Sequence, residues 1–597
     1  MGMTVIEKIL AHHSTYDVVR PGEIINVHID LRVSRDLGGI NIVKQFQKHE
    51  LSLDNRERTF FTFDYYPSVA DASIFENQQI CRSFAREQGI RLFDIHSGIG
   101  SHLMIDQGYA TPGTILASTD THANILGAIG ALGIGLSEKD IITVFTKGSI
   151  WYRVPKSIKI NLTGLLPTKT TAKDIALNLL SLIGPSKLLG YAIELYGPAI
   201  DMLGLDGRIT LASMANEIGA VTFLMHPNQE VIDYCSCKSN QTFQVFLPDE
   251  DADYDDFLNI DVSKFEQMIS LPGNMEIVPI EKTANQGIDS AFIGTCTNGR
   301  IEDLRIAAGI LKDRKVAPGV ILKIVPSTDE IWTLALQEGL IDIFKESGAM
   351  VTNAGCGGCA SGQYSHNSFG EVTISTGNKN YAGQTSKGEV YLASPAIVAA
   401  SAIAGYITIP EQIPDKHFTL FSFPNQKVST SNISSPEKMT LLEGKTWYIP
   451  FDNIDTDMIY HSRYTGLTDL SKFGNYTFMD LEGYEYFADQ VSPGDIIIVG
   501  QNFGLGNSSH HAVDCFKSLG IQAIIAKSFA VVYEHNAISA GLPVIVCSKT
   551  DSLELQSGDM IRVNLQTGII SNLRNNLITT VEKYSGIEIK SSIKEIS

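Results

Sequence analysis

Cysteine, tryptophan and basic charge are all scarce in this 597-residue chain. It holds 8 cysteines and 3 tryptophans, and 46 lysines and arginines against 66 aspartates and glutamates, a formal net charge of −20. So few cysteines exclude a secreted disulfide scaffold and point to a reducing, cytoplasmic setting. The shortage of basic residues argues against a constitutive nucleic-acid binder, which needs a positive face to displace counterions. Anionic small molecules stay open, because a pocket can be locally basic in an acidic protein. No uninterrupted apolar run of about 18 residues occurs, so no membrane span is expected. The opening "MGMTVIEKILAHHSTYD" has neither the apolar core nor the small-residue cleavage site of a signal peptide.

What is present is a globular composition, 44% hydrophobic and 19% charged, long enough for roughly three or four domains. The first 420 residues alternate short apolar runs with helix-like segments, which predicts α/β domains with mostly parallel sheets. "TPGTILASTDTH" reads as a strand entering a loop, and "GAIGALGIGLSEKDIITVF" as a small-residue helix packed closely on its neighbours. "GIDSAFIGTCTNGRIEDLRIAAGILK" followed by "VILKIVPST" reads as a βαβ unit. Residues 421–439, rich in Ser, Thr, Asn and Pro, read as a linker between a large module, 1–420, and a smaller one, 440–597. The small module's buried strands are expected in "GDIIIVG", "GIQAIIAKSFAVVY" and "GLPVIVCS".

The stretch "NAGCGGCASG", residues 353–362, places Cys356 and Cys359 two residues apart among glycines. A CxxC alone fits a redox pair, half a zinc site or an iron–sulfur cluster. Cys296 in "IGTCTNGR" lies in a similar small-residue loop after an apparent strand. Cys81, Cys515 and Cys547 sit in helix- or strand-like runs, where a buried cysteine behaves as a small hydrophobe. Cys235 and Cys237 in "DYCSCKSN" read as a polar loop. Three thiolates from two loops leave a four-metal cluster one ligand short. That open position suits substrate binding by an exposed iron rather than electron transfer.

Together "IGTCTNGRIEDLRIAAGIL", "NAGCGGCASG", "VYLASPAIVAASAIAGYIT" and "LASTDTHANILGAIGALGIGLSEKD" resemble the aconitase superfamily, above all the large subunit of 3-isopropylmalate dehydratase. "NIDTDMIYHSRY", "GQNFGLGNSSHHAV" and "AKSFAVVYEHNAISAGLPVI" resemble the small subunit, so both subunits look fused in one chain. The resemblance implies a large module of three α/β domains around a [4Fe-4S] cluster with one open iron, plus a C-terminal swivelling β/α domain. It implies a hydro-lyase that dehydrates and rehydrates a 2-hydroxy di- or tricarboxylic acid, with no separate small subunit needed. Cys296, Cys356 and Cys359 match the cluster ligands. Asp64, His102, Asp120, His122, Glu217 and Ser508 match catalytic positions, and Arg35, Asn298, Arg300, Asn378, Lys379, Arg463 and Ser509 substrate-binding ones.

Departures gather at substrate-contacting positions. Thr121 replaces the family serine, Tyr65 the histidine beside Asp64, Lys379 an arginine, and Gln384 a later arginine of the same loop. The family's Ser-Ser-Arg-Glu-His reads Asn507-Ser508-Ser509-His510-His511, so neither its serine base nor its arginine is in place. Ser508, Tyr65 or His510 are candidates for the replacement acid/base. The alternative implied by these losses is a catalytically altered or inert iron–sulfur sensor of the same fold.

Overall fold

The computed structural model describes residues 2–65, 72–184, 188–273, 276–283, 285–357, 370–380, 388–414, 441–464, 470–506 and 509–585. The expected linker, 421–439, lies outside them. The chain divides into two compact units: Met1–Leu136 with Asp140–Pro424, and Ser137–Lys139 with Asn425–Ser597.

The first unit contains three larger sheets. One is five-stranded and all parallel, ordered Arg91–Phe93, Thr59–Thr62, Leu31–Arg35, Ile115–Ser118, Leu132–Gly135. A second has four parallel strands, Thr222–Met225, Ala192–Tyr196, Ser157–Thr163 and Asp256–Asp261. The third has seven, with Ser290–Ile293 paired in parallel to Ile321–Ile324 on one side and Val372–Ser375 on the other. Its predicted βαβ unit is present: strand Ser290–Ile293, helix Ile301–Leu311, strand Ile321–Ile324. That helix buries Ile301, Leu304, Ala307, Ala308 and Leu311, the spacing of one apolar face laid on a sheet.

The small-residue stretch expected as one helix is split three ways. Thr121–Ile129 is a 3-10 helix, Leu132–Gly135 a strand, and only Glu138–Lys147 an α-helix. The glycines serve backbone contact instead of helix packing. A Cβ on Gly133 would lie 1.8 Å from the Ala123 carbonyl oxygen, and one on Gly127 2.1 Å from that of Phe223. Cys235 and Cys237 also fall in a helix, Gln229–Lys238, rather than a loop, with Cys235 buried and Cys237 exposed.

The second unit carries an eight-stranded mixed sheet. Its predicted strands Ile496–Val499, Ala523–Ala526 and Val544–Val546 lie side by side in parallel, with the helix Val531–Ala540 closing a crossover. Short runs of Ile, Val and Ala suit strands covered on both faces.

Gly133→Ala should lower unfolding stability by about 3 kcal/mol, the upper end for overpacking. Gly309→Ala, in a helix with nothing within 4 Å of the new methyl, should raise it by about 0.5–1 kcal/mol. Urea titrations of the two variants check the contrast.

Candidate active site

In open parallel sheets the crevice for ligands lies beyond the carboxyl ends of strands where the strand order reverses. The first unit has two such points. In the five-stranded sheet the order reverses between Leu31–Arg35 and Ile115–Ser118, which deliver Arg35 and Asp120. In the seven-stranded sheet it reverses between Ser290–Ile293 and Val372–Ser375, which deliver Cys296 and Asn378.

At the first point Arg35 Nε donates to Asp64 Oδ1 at 2.8 Å, and Nη1 lies 3.2 Å from Asp120 Oδ1. The guanidinium stacks 4.8 Å over the Tyr65 ring, so the tyrosine standing at the family histidine's position forms the floor under the cation. Arg35 Nη2 is buried and has no hydrogen-bond partner among the described residues. The two carboxylates are pushed apart. Burial raises Asp64 to about 7, with Arg35 opposing the shift and Asp120 and Asp36 adding to it. Burial would raise Asp120 too, but Arg35 and His122 outweigh it and hold that carboxyl well below its ordinary range.

His122 links the two points. Its Nδ1 lies 3.6 Å from Asp120 Oδ1 and its Nε2 3.0 Å from Glu217 Oε1. Asn378 Nδ2 is 2.6 Å from the same Nε2 and 3.6 Å from Cys296 Sγ. Burial disfavours imidazolium here, yet the Cys296 sulfur, Asp120 and Glu217 outweigh it and raise His122 well above its ordinary value. The arrangement is a carboxylate-flanked histidine able to give or take a proton.

Cys296 follows Thr295, whose φ of 75° is a left-handed conformation that a β-branched residue rarely adopts. Thr297 N donates to Thr295 Oγ1, and Thr210 Oγ1 to Thr297 O. Ser213 Oγ donates to Cys296 Sγ at 3.5 Å. Cys356 is buried, and its N–H donates to the Asp64 carbonyl. Neither cysteine forms a disulfide. Among the described residues no group of three or more His, Cys, Asp and Glu is set to hold a metal ion, and the third expected ligand, Cys359, lies outside them.

His102 Nε2 donates to the Cys296 carbonyl at 3.1 Å, and burial with Arg300 nearby lowers the ring to about 4. It is a neutral support for the cysteine loop. Asn298 Nδ2 donates to Asp303 and Thr210, while its Oδ1 is buried without a partner among the described residues. Arg300 is buried, with Nε on Asp206 at 2.8 Å and Nη1 on both oxygens of Asp106 at 2.8 and 2.7 Å. Its charge is already balanced inside this unit, which is the geometry of a brace for the loop. Lys379 is buried.

In the second unit Arg463 pairs with Asp480 and lies 5.1 Å over the Tyr464 ring. Ser509 Oγ is 3.0 Å from His511 Nδ1. The His511 ring stacks on Tyr460 with centroids 5.6 Å apart, and burial lowers it to about 4, so it is packed as a neutral ring. His510 Nδ1 is 3.0 Å from Asp514 Oδ2. Ser508 and Asn507 lie outside the described residues.

Sequence reasoning missed Lys173, Asp106 and Asp206. The two aspartates look like ordinary helix charges. Lys173 carries a faint signal, since a lysine in the first turn of a helix opposes the macrodipole.

The chain matches the Aconitase family (aconitate hydratase) over residues 7–405 and the Aconitase C-terminal domain over residues 453–549. The protein belongs to the aconitase family. It is 37% identical over 415 residues to a probable 3-isopropylmalate dehydratase large subunit of Methanothermobacter thermautotrophicus, covering 69% of this chain and 99% of that protein. It is 35% identical over 419 residues to a probable methanogen homoaconitase large subunit of the same organism, covering 69% and 98%. A solved 3-isopropylmalate dehydratase from Methanocaldococcus jannaschii aligns at 34% identity over 25% of this chain and 86% of that one, with a TM-score of 0.23. This aconitase-family chain is a hydro-lyase with the C-terminal domain carried on the same polypeptide as the large-subunit region. The sensor alternative finds no support in these likenesses, and none of the described helices is long and apolar enough to cross a membrane.

Arg300→Met should cost about 3–5 kcal/mol of unfolding stability by leaving the Asp106 and Asp206 carboxylates buried and unpaired. The midpoint of urea unfolding of the metal-free chain measures it. A stability change below about 1 kcal/mol would remove the bracing role.

Proposed function

We propose that the chain reversibly dehydrates a 2-hydroxy di- or tricarboxylic acid and re-adds water at the neighbouring carbon, as a 3-isopropylmalate dehydratase or homoaconitase does. One observation carries the reading: His122 is held between Asp120 and Glu217 and joined through Asn378 to the Cys296 sulfur. Acid–base chemistry and a thiolate site thus share one buried wall.

Cys296, Cys356 and Cys359 would hold a [4Fe-4S] cluster. The donor set supports this: Cys296 Sγ has a hydroxyl and an amide as neutral hydrogen-bond donors, which favour a ligating thiolate. Two buried polar atoms without a partner among the described residues, Arg35 Nη2 and Asn298 Oδ1, suit a polar occupant. When bound, the cluster would supply a Lewis-acidic iron toward the substrate hydroxyl and a carboxylate.

The chain's own residues do the rest. Arg35 offers its unpartnered Nη2–H to a substrate carboxylate, held rigid by Asp64, Asp120 and the Tyr65 ring. His122, with Glu217 behind it, holds the proton that the departing hydroxyl needs and takes it back on hydration. Asp120 stays ionised and steadies the imidazolium. Asp64, whose carboxyl burial raises to about 7, is placed to exchange a proton at the Arg35 side. Asn298, Asn378 and Lys379 line the cysteine side as polar contacts. Ser508, Ser509 and Arg463 are proposed as the C-terminal domain's contribution, with Ser508 the candidate base in place of the serine lost at Asn507.

Full chain reconstituted anaerobically with iron and sulfide should bind four irons, lose one reversibly on oxidation, and turn over malate-like 2-hydroxy acids. His122→Ala should keep the cluster's absorbance and lose about 10²–10⁴-fold in kcat. A cluster-loaded chain inactive across 3-isopropylmalate, citrate and homologous tricarboxylates would defeat the proposal.

A further inference from the structure

Lys173 is the buried cation that the mechanism above does not use. It stands in the first turn of the helix Ala172–Ile183, where the macrodipole disfavours positive charge, and it is 0% exposed. Burying an ammonium with nothing in return would cost several kcal/mol, so its contacts define its role. Among the described residues its nitrogen meets no carboxylate: Nζ donates to the Gly377 carbonyl at 2.6 Å, the Thr376 carbonyl at 3.1 Å and Met214 Sδ at 3.4 Å.

Those two carbonyls belong to the turn that leaves strand Val372–Ser375 and ends at Asn378. The turn is fixed elsewhere too. Gly377 N donates to Ser375 Oγ, while Thr376 Oγ1 accepts from Gly294 N and donates to Gly294 O, two residues before Cys296. The Gly377 N–H bond also fixes the Thr376 carbonyl, which shares its planar peptide. The Gly377 carbonyl, in the peptide that leads into Asn378, is the one the ammonium holds at 2.6 Å.

Resting on the functional reading above, we propose that Lys173 is a positioning residue that orients the Thr376–Gly377 turn so that the Asn378 amide reaches both His122 and Cys296. The helix of one subdomain thereby aims a side chain belonging to another sheet at the acid–base pair. Burial lowers the Lys173 ammonium to about 8, with Glu217 and Cys296 working against the shift, so it remains largely charged near neutrality.

A double-mutant cycle on the reconstituted full chain tests this. Lys173→Met should lower kcat about tenfold or more with KM within about threefold, because the lysine acts on the proton-transfer pair and not on substrate carboxylates. In an Asn378→Ala background the same change should alter kcat less than about twofold, since the route through Asn378 is already cut. Lys173→Arg keeps the charge for folding and should recover part of the loss; if Lys173→Met does not fold, Lys173→Arg takes its place in the cycle. Additive effects of the foldable variant with Asn378→Ala, or kcat within about twofold of the parent, would overturn the proposal. The metal-free full chain provides a second readout: amide exchange of residues 376–378 should be faster in the variant. Unchanged exchange there would equally overturn it. A parent chain without hydro-lyase activity would refute the function, while the exchange comparison, which needs neither cluster nor substrate, would still decide Lys173.

Discussion

Buried charge is the constraint on which the rest of this structure depends. Arg35, Asp64, Asp120, His122, Glu217, Arg300, Asp106 and Lys173 are each less than 9% exposed. Such groups are tolerable only when partners surround them. The fold meets that demand by placing complementary residues on different strands and helices. Arg35 answers Asp64 and Asp120 from neighbouring strands of one sheet, and Arg300 answers Asp106 and Asp206 from two helices. Moving any one of these elements would strand a charge, so the electrostatics that serve chemistry also lock the large unit's geometry.

The same logic separates the roles of similar side chains. Asp64 and Asp120 flank one arginine, yet burial with the charges of Asp120 and Asp36 raises the first, while Arg35 and His122 hold the second low. His102 and His122 are both buried. His102 faces a backbone carbonyl with an arginine nearby and is lowered to about 4, whereas His122 faces two carboxylates and a sulfur and is raised above its ordinary value. Environment assigns the chemistry where residue type alone leaves it open.

Much of this was legible in the residues. The strand–loop–helix reading around Cys296, the βαβ unit and the three parallel strands of the C-terminal unit follow from apolar runs bounded by glycine. Asp120, His122 and Glu217, singled out by motif, lie within contact of one another. Other features were hidden because they are tertiary. Gly133 reads as a helix glycine until the Ala123 carbonyl is seen against it. Arg300 reads as a substrate arginine until its two aspartates, distant in sequence, close around it. Lys173 is hidden for the same reason, since the carbonyls that hold it belong to residues some two hundred positions later.

In the proposed function Arg35 and His122 face a substrate held beside the Cys296 loop. A crystal structure of the cluster-loaded full chain with a bound 2-hydroxy acid is the decisive measurement. It should show a substrate carboxylate on Arg35 Nη2 and the His122 imidazole within hydrogen-bonding reach of the acid. An acid bound elsewhere, with Arg35 Nη2 still unpartnered, would contradict the proposed function.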